Sequence, residues 1–224
     1  MDWTALGVSI RLSFWTMVVL LLIGTPIAYW VAFSRWRLKF LVEAIVALPL
    51  VLPPTVLGFY ILLSIGPRSP IGGLYRDVTG NSLPFSFEGL LLASVLYSLP
   101  FAVQPFASAF ASVDRQLIEA SRCLGASPWK TFRRVIFPLS LSGVVTGMIL
   151  SFAHTLGEFG VVLMVGGNLP GRTRTASISI YDDVQALNYH AAFQTSLLLL
   201  GVSFAVLAVT YATRRTAWSA WPTK

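Results

Sequence analysis

The sequence predicts an all-α integral membrane protein in one domain, residues 1–224, and three observations carry that prediction. Hydrophobic residues make up 55% of the 224 and charged residues only 11%, far below the roughly 25% charged content of soluble domains. Five apolar runs are long enough to approach the roughly 20 residues a spanning helix needs. A basic segment at about 112–136 interrupts those runs and carries the signals of two short helices.

The five runs are approximately Leu12 to Phe33, Leu48 to Ile65, Gly89 to Ala111, Phe137 to Leu156 and Ala191 to Ala212. The first is expected to be retained, because its apolar core is too long for a signal peptide and more spans follow. A further run from Phe159 to Val165 is too short to cross and reads as re-entrant; counted as a crossing, it would bring five spans to six. Counting basic residues gives the orientation. With the N-terminus outside, Arg35, Arg37, Lys39, Arg115, Arg122, Lys130, Arg133, Arg134, Arg214, Arg215 and Lys224 lie inside, eleven of the 16 Lys and Arg. That arrangement places the C-terminus and the basic segment in the cytoplasm.

Between Leu48 and Gly58 the chain carries Pro49, Pro53 and Pro54. Each proline removes a backbone donor and clashes one turn back, at about 3 kcal/mol in a helix interior, so the three are expected to break the helix. The run from Phe40 to Leu48 then lies along the inner interface, with the prolines marking the bend into the next span. The freed carbonyls are tolerated at membrane depth where protein or a watery cavity meets them, which makes the bend and Thr55 candidates for lining a pathway. Glu43 is expected to pair with Arg37 or Lys39, or to stay solvated.

In the basic segment, Asp114 can cap a helix from Arg115 to about Leu124, because its carboxylate accepts the free N–H groups of the first turn. Gly125 stops that helix, and Ser127 followed by Pro128 starts another, which runs to about Phe137, before Pro138. Leu117, Ala120, Ser121 and Leu124 share one face of the first helix. Trp129, Phe132 and Ile136 oppose Lys130 and Arg134 on the second. Two readings fit this composition, a plug for another protein or amphipathic helices lying on anionic lipid.

The order of residues favours the plug. Glu119-Ala120-Ser121, then Gly125, then Val135-Ile136-Phe137-Pro138 resembles the coupling loop of importer-type ATP-binding-cassette permeases, with Ser121 in place of an alanine and Phe137 in place of a leucine. The resemblance implies that the loop docks into a groove on a cytoplasmic ATPase. Its contact residues would be Glu119, Ala120, Ser121, Arg122, Gly125, Ala126 and Pro138, in a helix-in-groove arrangement. A second stretch, Gly157-Glu158-Phe159-Gly160 followed by Gly167-Asn168-Leu169-Pro170-Gly171-Arg172-Thr173-Arg174-Thr175, is similar to permeases for molybdate, tungstate and sulfate. The Leu-Pro-Leu-Val-Leu-Pro-Pro run and the short chain look most like the molybdate branch.

The family resemblance implies a bacterial inner-membrane permease working as a homodimer, with two ATPase subunits inside and an oxyanion-binding protein outside. Pathway or gate candidates are Pro49, Pro53, Pro54, Thr55, Thr155 and Glu158, with Thr146, Ser151 and Gln104 as further lining residues. A carboxylate in the path of a dianion would repel it by on the order of several kcal/mol. Glu158 is therefore expected to cap the Phe159 segment or pair a basic residue, and to be a gate element if it faces the pathway. His154 reads as a packed polar residue.

No phosphate-binding loop precedes any of the three lysines, Lys39, Lys130 and Lys224. ATP and Mg are therefore expected on a partner chain, with no cofactor, metal site or catalytic residue here. Cys123 is the lone cysteine, which excludes an intramolecular disulfide, and no nucleic-acid module is visible. The rival class is an ion-gradient-driven secondary carrier, which would show inverted repeats and paired intramembrane charges. Neither is evident. A membrane anchor for an ATPase would have no need of the interrupted spans.

Overall fold

The computed structural model describes residues 2–213, so Arg214, Arg215 and Lys224, counted above toward the inner side, lie outside the described residues. Those residues form helices in the order α1 (Trp3–Phe33), α2 (Lys39–Val51), α3 (Pro54–Ile65), α4 (Pro70–Thr79), α5 (Phe87–Ala111), α6 (Arg115–Cys123), α7 (Pro128–Thr131), a π turn (Phe132–Ile136), α8 (Phe137–Leu139), α9 (Leu141–Gly157), α10 (Gly160–Gly166), α11 (Ala176–Gln185) and α12 (Tyr189–Thr213). There is no strand among the described residues.

Three helices, α1, α5 and α12, are long and apolar enough to cross a membrane unbroken. The first begins at Trp3 rather than near Leu12, because Asp2 caps it by accepting from the Ala5 N–H at 3.0 Å. Its 31 residues give a rod of about 46 Å, longer than the roughly 30 Å hydrocarbon core.

The other two expected spans are broken. The run Leu48 to Ile65 divides into α2 and α3, which meet at 115°. With only 12 residues, α3 reaches about 18 Å and cannot cross alone. The bend falls at Leu52 and Pro53, and Pro54 occupies the first turn of α3, the position where a missing N–H costs nothing. Pro49 departs from expectation: it sits buried inside α2 without ending it, so two prolines break the chain and not three. The expected interfacial run from Phe40 is the body of α2, and Glu43 pairs with Lys39 at 3.3 Å one turn away.

The span expected from Phe137 to Leu156 is likewise interrupted at Ser140, and the helical run Pro128–Leu139 is bent by 73° against α9. Counting each bent pair as one crossing gives up to five spans. The short Phe159 run forms α10, seven residues long.

At the centre of the bundle is α5: 56% of its most apolar window is buried within the protein, against 11% for α12. Phe106 and Phe110 of α5 are fully buried with Leu20 and Ala28 of α1 and Val144 of α9. Small residues set how closely these helices approach. A Cβ on Gly147 of α9 would stand 2.6 Å from the Phe106 ring, and one on Gly143 would stand 2.3 Å from the Ala109 side chain. In a second cluster α10 packs against α3 and α5 through Val161, Val165, Ile61, Ile65 and Ala93. There a Cβ on Gly160 would fall 2.7 Å from Pro54, and one on Gly58 would fall 2.8 Å from Met164. The broken helix α3 and the short helix α10 are thus wedged together through glycines.

The candidate docking segment and the broken helices

The basic segment folds as its local signals dictate, with one addition. The Asp114 carboxylate accepts from the Gln116 N–H at 2.8 Å and caps α6. At the other end Gly125, with φ +77°, adopts the left-handed conformation. Its N–H bonds the Arg122 carbonyl at 2.9 Å, and the Ala126 N–H bonds the Ser121 carbonyl at 3.1 Å, the pair of bonds that defines a Schellman motif. Ser127 caps α7 through the Lys130 N–H at 3.3 Å, with Pro128 in the first turn.

The second helix does not stop before Pro138, as the sequence suggests, but continues to Leu139. A proline in an α-helix collides with the carbonyl four residues back. Here the five residues before Phe137 form a π turn, and the Phe137 N–H bonds the Phe132 carbonyl. The wider turn removes the demand for a donor at Pro138, so Pro128 to Leu139 runs as one continuous helical piece.

Ile118, only 6% exposed, anchors α6 in the core cluster beside Val113 and Ile136. The Ser121 and Thr131 hydroxyls, 3.1 Å apart, tie the two helices together. The face expected from the spacing, Leu117, Ala120, Ser121 and Leu124, is turned outward: Leu124 is 88% exposed. With Ala126, Lys130, Arg134 and Val135 it lines an open groove of about 390 Å³. Glu119, Arg122, Gly125 and Pro138 are also exposed. The segment thus leaves an apolar stripe uncovered, flanked by the cations Lys130 and Arg134.

The membrane-embedded candidates divide into two groups. Thr55 and Pro53 are exposed, Pro54 is half-buried and Pro49 is buried, and Gln104 is exposed on α5. Thr155 and Ser151 are buried with their hydroxyls engaged, Thr155 with Ser98 at 2.9 Å and Ser151 with the Gly147 carbonyl at 2.7 Å. Thr146 is buried and donates to the Ser142 carbonyl at 2.8 Å. Glu158, 7% exposed, accepts from the Val161 N–H at 2.9 Å, which is the cap expected for the Phe159 segment. The structure therefore joins Glu158 to the start of α10, whose N–H groups have no intrahelical partner.

Two clusters escaped the sequence reading. Ser98 of α5 bonds both Thr155 and His154 Nδ1, each at 2.9 Å, and the His154 ring stacks on Phe101 with centroids 4.0 Å apart. At the opposite end of α1 from the basic segment, Arg174 pairs with Asp2 at 3.7 Å and with Asp182, while its Nε donates to Asn168 at 2.8 Å. This clasp binds the start of α1 to α11 and to the loop after α10. Asn168, Arg174 and Asp182 lie within 14 residues of one another, but Asp2 comes from the other end of the chain, and no local pattern announces that pairing. By contrast Ser69-Pro70, which starts α4, carries the same cap-and-proline signal as Ser127-Pro128.

A central apolar bundle with broken helices and an exposed two-helix segment is a fold shared with solved transporters. The fold matches the inward-facing methionine transporter MetNI with a TM-score of 0.68 over 95% of this chain and 92% of that one, at 21% identity. It matches the bacterial alginate transporter, solved with its alginate-bound periplasmic protein, with a TM-score of 0.76 over 95% and 78% at 15% identity.

Residues 24–217 match the family of binding-protein-dependent transport system inner membrane components, and the chain belongs to that family. Among curated relatives, the molybdenum transport system permease protein ModB of Azotobacter vinelandii is 50% identical over 214 residues, 96% of this chain and 95% of that protein. ModB of Escherichia coli K12 is 36% identical over 184 residues, 82% and 80% respectively. The chain is a multi-pass permease subunit of an ATP-binding-cassette transporter, and the secondary-carrier alternative falls with that assignment.

Proposed function

We propose that this chain is the membrane-embedded permease of a molybdate importer. The observation that carries the substrate is the 50% identity to a molybdenum transport permease along 96% of the chain. Tungstate and sulfate are the competing oxyanions, and the Gly157-Glu158-Phe159-Gly160 run is common ground between them.

In this reading two copies of the chain enclose the pathway, with the N-terminus outside and the basic segment in the cytoplasm. Two ATPase subunits carry ATP and Mg. Each receives the Leu117, Ala120, Ser121 and Leu124 face of one copy, with Glu119, Arg122, Gly125, Ala126 and Pro138 around the contact. An external binding protein delivers the oxyanion. ATP binding draws the ATPases together and moves the docked segments, opening the dimer interface outward; hydrolysis resets it. Such an interface has two discrete packings rather than a continuum. The pathway needs only weak contacts, since tight binding would slow release. The bend at Pro53 and Pro54, Pro49 within α2, and Thr55, Thr155 and Glu158 form the gate region. Glu158 acts there by fixing α10 through its cap and not as an anion ligand.

The test is reconstitution of this chain with its ATPase and binding protein in liposomes, measuring ATP-dependent uptake of molybdate against equal tungstate and sulfate. Molybdate uptake that requires ATP is the expected result. A preference for sulfate would move the substrate, and uptake driven by an ion gradient without ATP would overturn the mechanism.

A further inference from the structure

The surface of the bundle carries an open apolar groove, here called the cavity, that the transport reading does not use. It has a volume of about 570 Å³ and lies between the second half of α1 and the start of the docking segment, lined by Leu21, Leu22, Pro26, Trp129, Phe132 and Phe137 among others. That volume is within the about 300–1,000 Å³ range of small-molecule sites. Of the two lining residues with hydroxyls, Thr25 donates to the Leu21 carbonyl at 2.5 Å and Tyr29 sets its ring edge-on against Phe132; every other lining side chain is apolar or aromatic. An occupant must therefore be hydrocarbon where it touches this wall.

The surroundings are layered along α1. Toward the docking segment the cavity is bounded by aromatic rings: Trp129 stacks on Phe132 at 5.7 Å, and Tyr29 meets Phe132 edge-on at 5.3 Å. Just beyond, Trp30 and Trp36 contact each other at 5.9 Å. Tryptophan and tyrosine concentrate where hydrocarbon gives way to headgroups, so these rings mark the membrane–water boundary. Past them in sequence come the exposed cations Arg35 and Arg37, which flank Trp36 after α1, and the exposed Arg133, which follows Phe132 in the chain. Apolar cavity, aromatic boundary and cationic rim follow one another in the order of acyl chain, glycerol region and phosphate.

We propose that the cavity seats an acyl chain of an anionic phospholipid, whose headgroup phosphate is held by this basic rim, so that one lipid bridges α1 and the docking segment. The lipid then touches the element that moves in transport. This inference is independent of the ion transported. Basic groups at a membrane surface each favour an anionic lipid by a factor of about five, and a cavity that also fixes the chain converts that general attraction into a site.

Trp129 lines the cavity and reports on it. The full chain would be placed in bilayers of phosphatidylcholine and phosphatidylglycerol at equal mole fraction, with bromine on the acyl chains of one lipid and then the other. The difference in quenching between the native protein and Trp129→Phe isolates Trp129 from the other six tryptophans. The expected result is stronger quenching of Trp129 by brominated phosphatidylglycerol. Arg133→Gln and Arg35→Gln should each reduce the preference by about fivefold. Equal quenching by both lipids would reduce the cavity to ordinary lipid contact and overturn the proposal. Absence of quenching by either would mean that protein, such as a second copy of the chain, fills the cavity, and would overturn it as well.

Discussion

Replacing Gly125 by alanine isolates the backbone of the docking segment from its surface chemistry. Gly125 has φ +77°, and a Cβ placed there meets no atom within 4 Å. The whole penalty is therefore that of holding an L-residue in the left-handed region, about 1–2 kcal/mol. If the segment can relax to a turn without the Schellman bonds, the population able to dock falls by about 5- to 30-fold, and the apparent affinity for the ATPase falls with it. Titrating the ATPase subunit into proteoliposomes and following substrate-stimulated hydrolysis should show a shifted midpoint with an unchanged maximum. Gly125→Asn should shift less, since asparagine enters this region more readily. Gly125→Pro, with φ locked near −65° and the bond from the Gly125 N–H to the Arg122 carbonyl gone, should abolish coupling while the protein still inserts. Gly80 provides the control: it has φ +73°, equally open space and a place in the turn after α4. An unshifted midpoint in Gly125→Ala, or an equal shift in Gly80→Ala, would refute the assignment of this turn to docking.

Ile118→Ala should lower thermal stability, losing about 2–5 kcal/mol as a buried isoleucine is truncated, whereas Glu119→Lys, at the exposed neighbour, should leave melting unchanged and abolish substrate-stimulated hydrolysis; equal melting losses would contradict the inside–outside division of α6. Glu158→Ala should cost about 0.5–2 kcal/mol for the missing cap at Val161 and slow uptake, with Glu158→Gln retaining most of both because an amide oxygen still accepts; a Gln variant as impaired as Ala in transport assays would show that charge matters and not the cap. Gly147→Ala drives a methyl into the Phe106 ring and should destabilise by about 1–3 kcal/mol, measured as a lower melting temperature in detergent; unchanged melting would mean that α5 and α9 are free to separate.

Local chemistry made the docking segment readable in advance. Asp114, Gly125, Ser127 and Pro128 act on backbone groups a few residues away, so their order alone sets two helices and a turn. Which side of α6 would be buried was less accessible. Both Ile118 and the Leu117–Leu124 stripe are apolar, and only the tertiary position of the core decides that Ile118 goes in and the stripe stays out. The spans were legible as apolar runs, yet hydropathy is blind to direction. It merged α2 with α3 and hid the break at Ser140, although Pro53 and Pro54 gave the first bend away. Pro49 shows the limit of counting prolines, since α2 carries it without ending. The Ser98, His154 and Thr155 cluster and the pairing of Arg174 with Asp2 depend on contacts between segments dozens of residues apart, which periodicity does not encode.

The π turn before Pro138 bears on how force crosses this protein. An ordinary proline stop would have left a hinge between the docking segment and the bundle, and a push from outside would have been spent in bending it. With the wide turn in place, the helical run is continuous from Pro128 to Leu139 and its 73° bend against α9 falls at Ser140, whose hydroxyl grips the Ala109 carbonyl of α5 at 3.0 Å. Three residues further on, Gly143 lies so close to Ala109 that no side chain fits between. If the segment docks as proposed, a displacement of it would reach the end of α5 and the start of α9 together, as a crank arm keyed to its shaft.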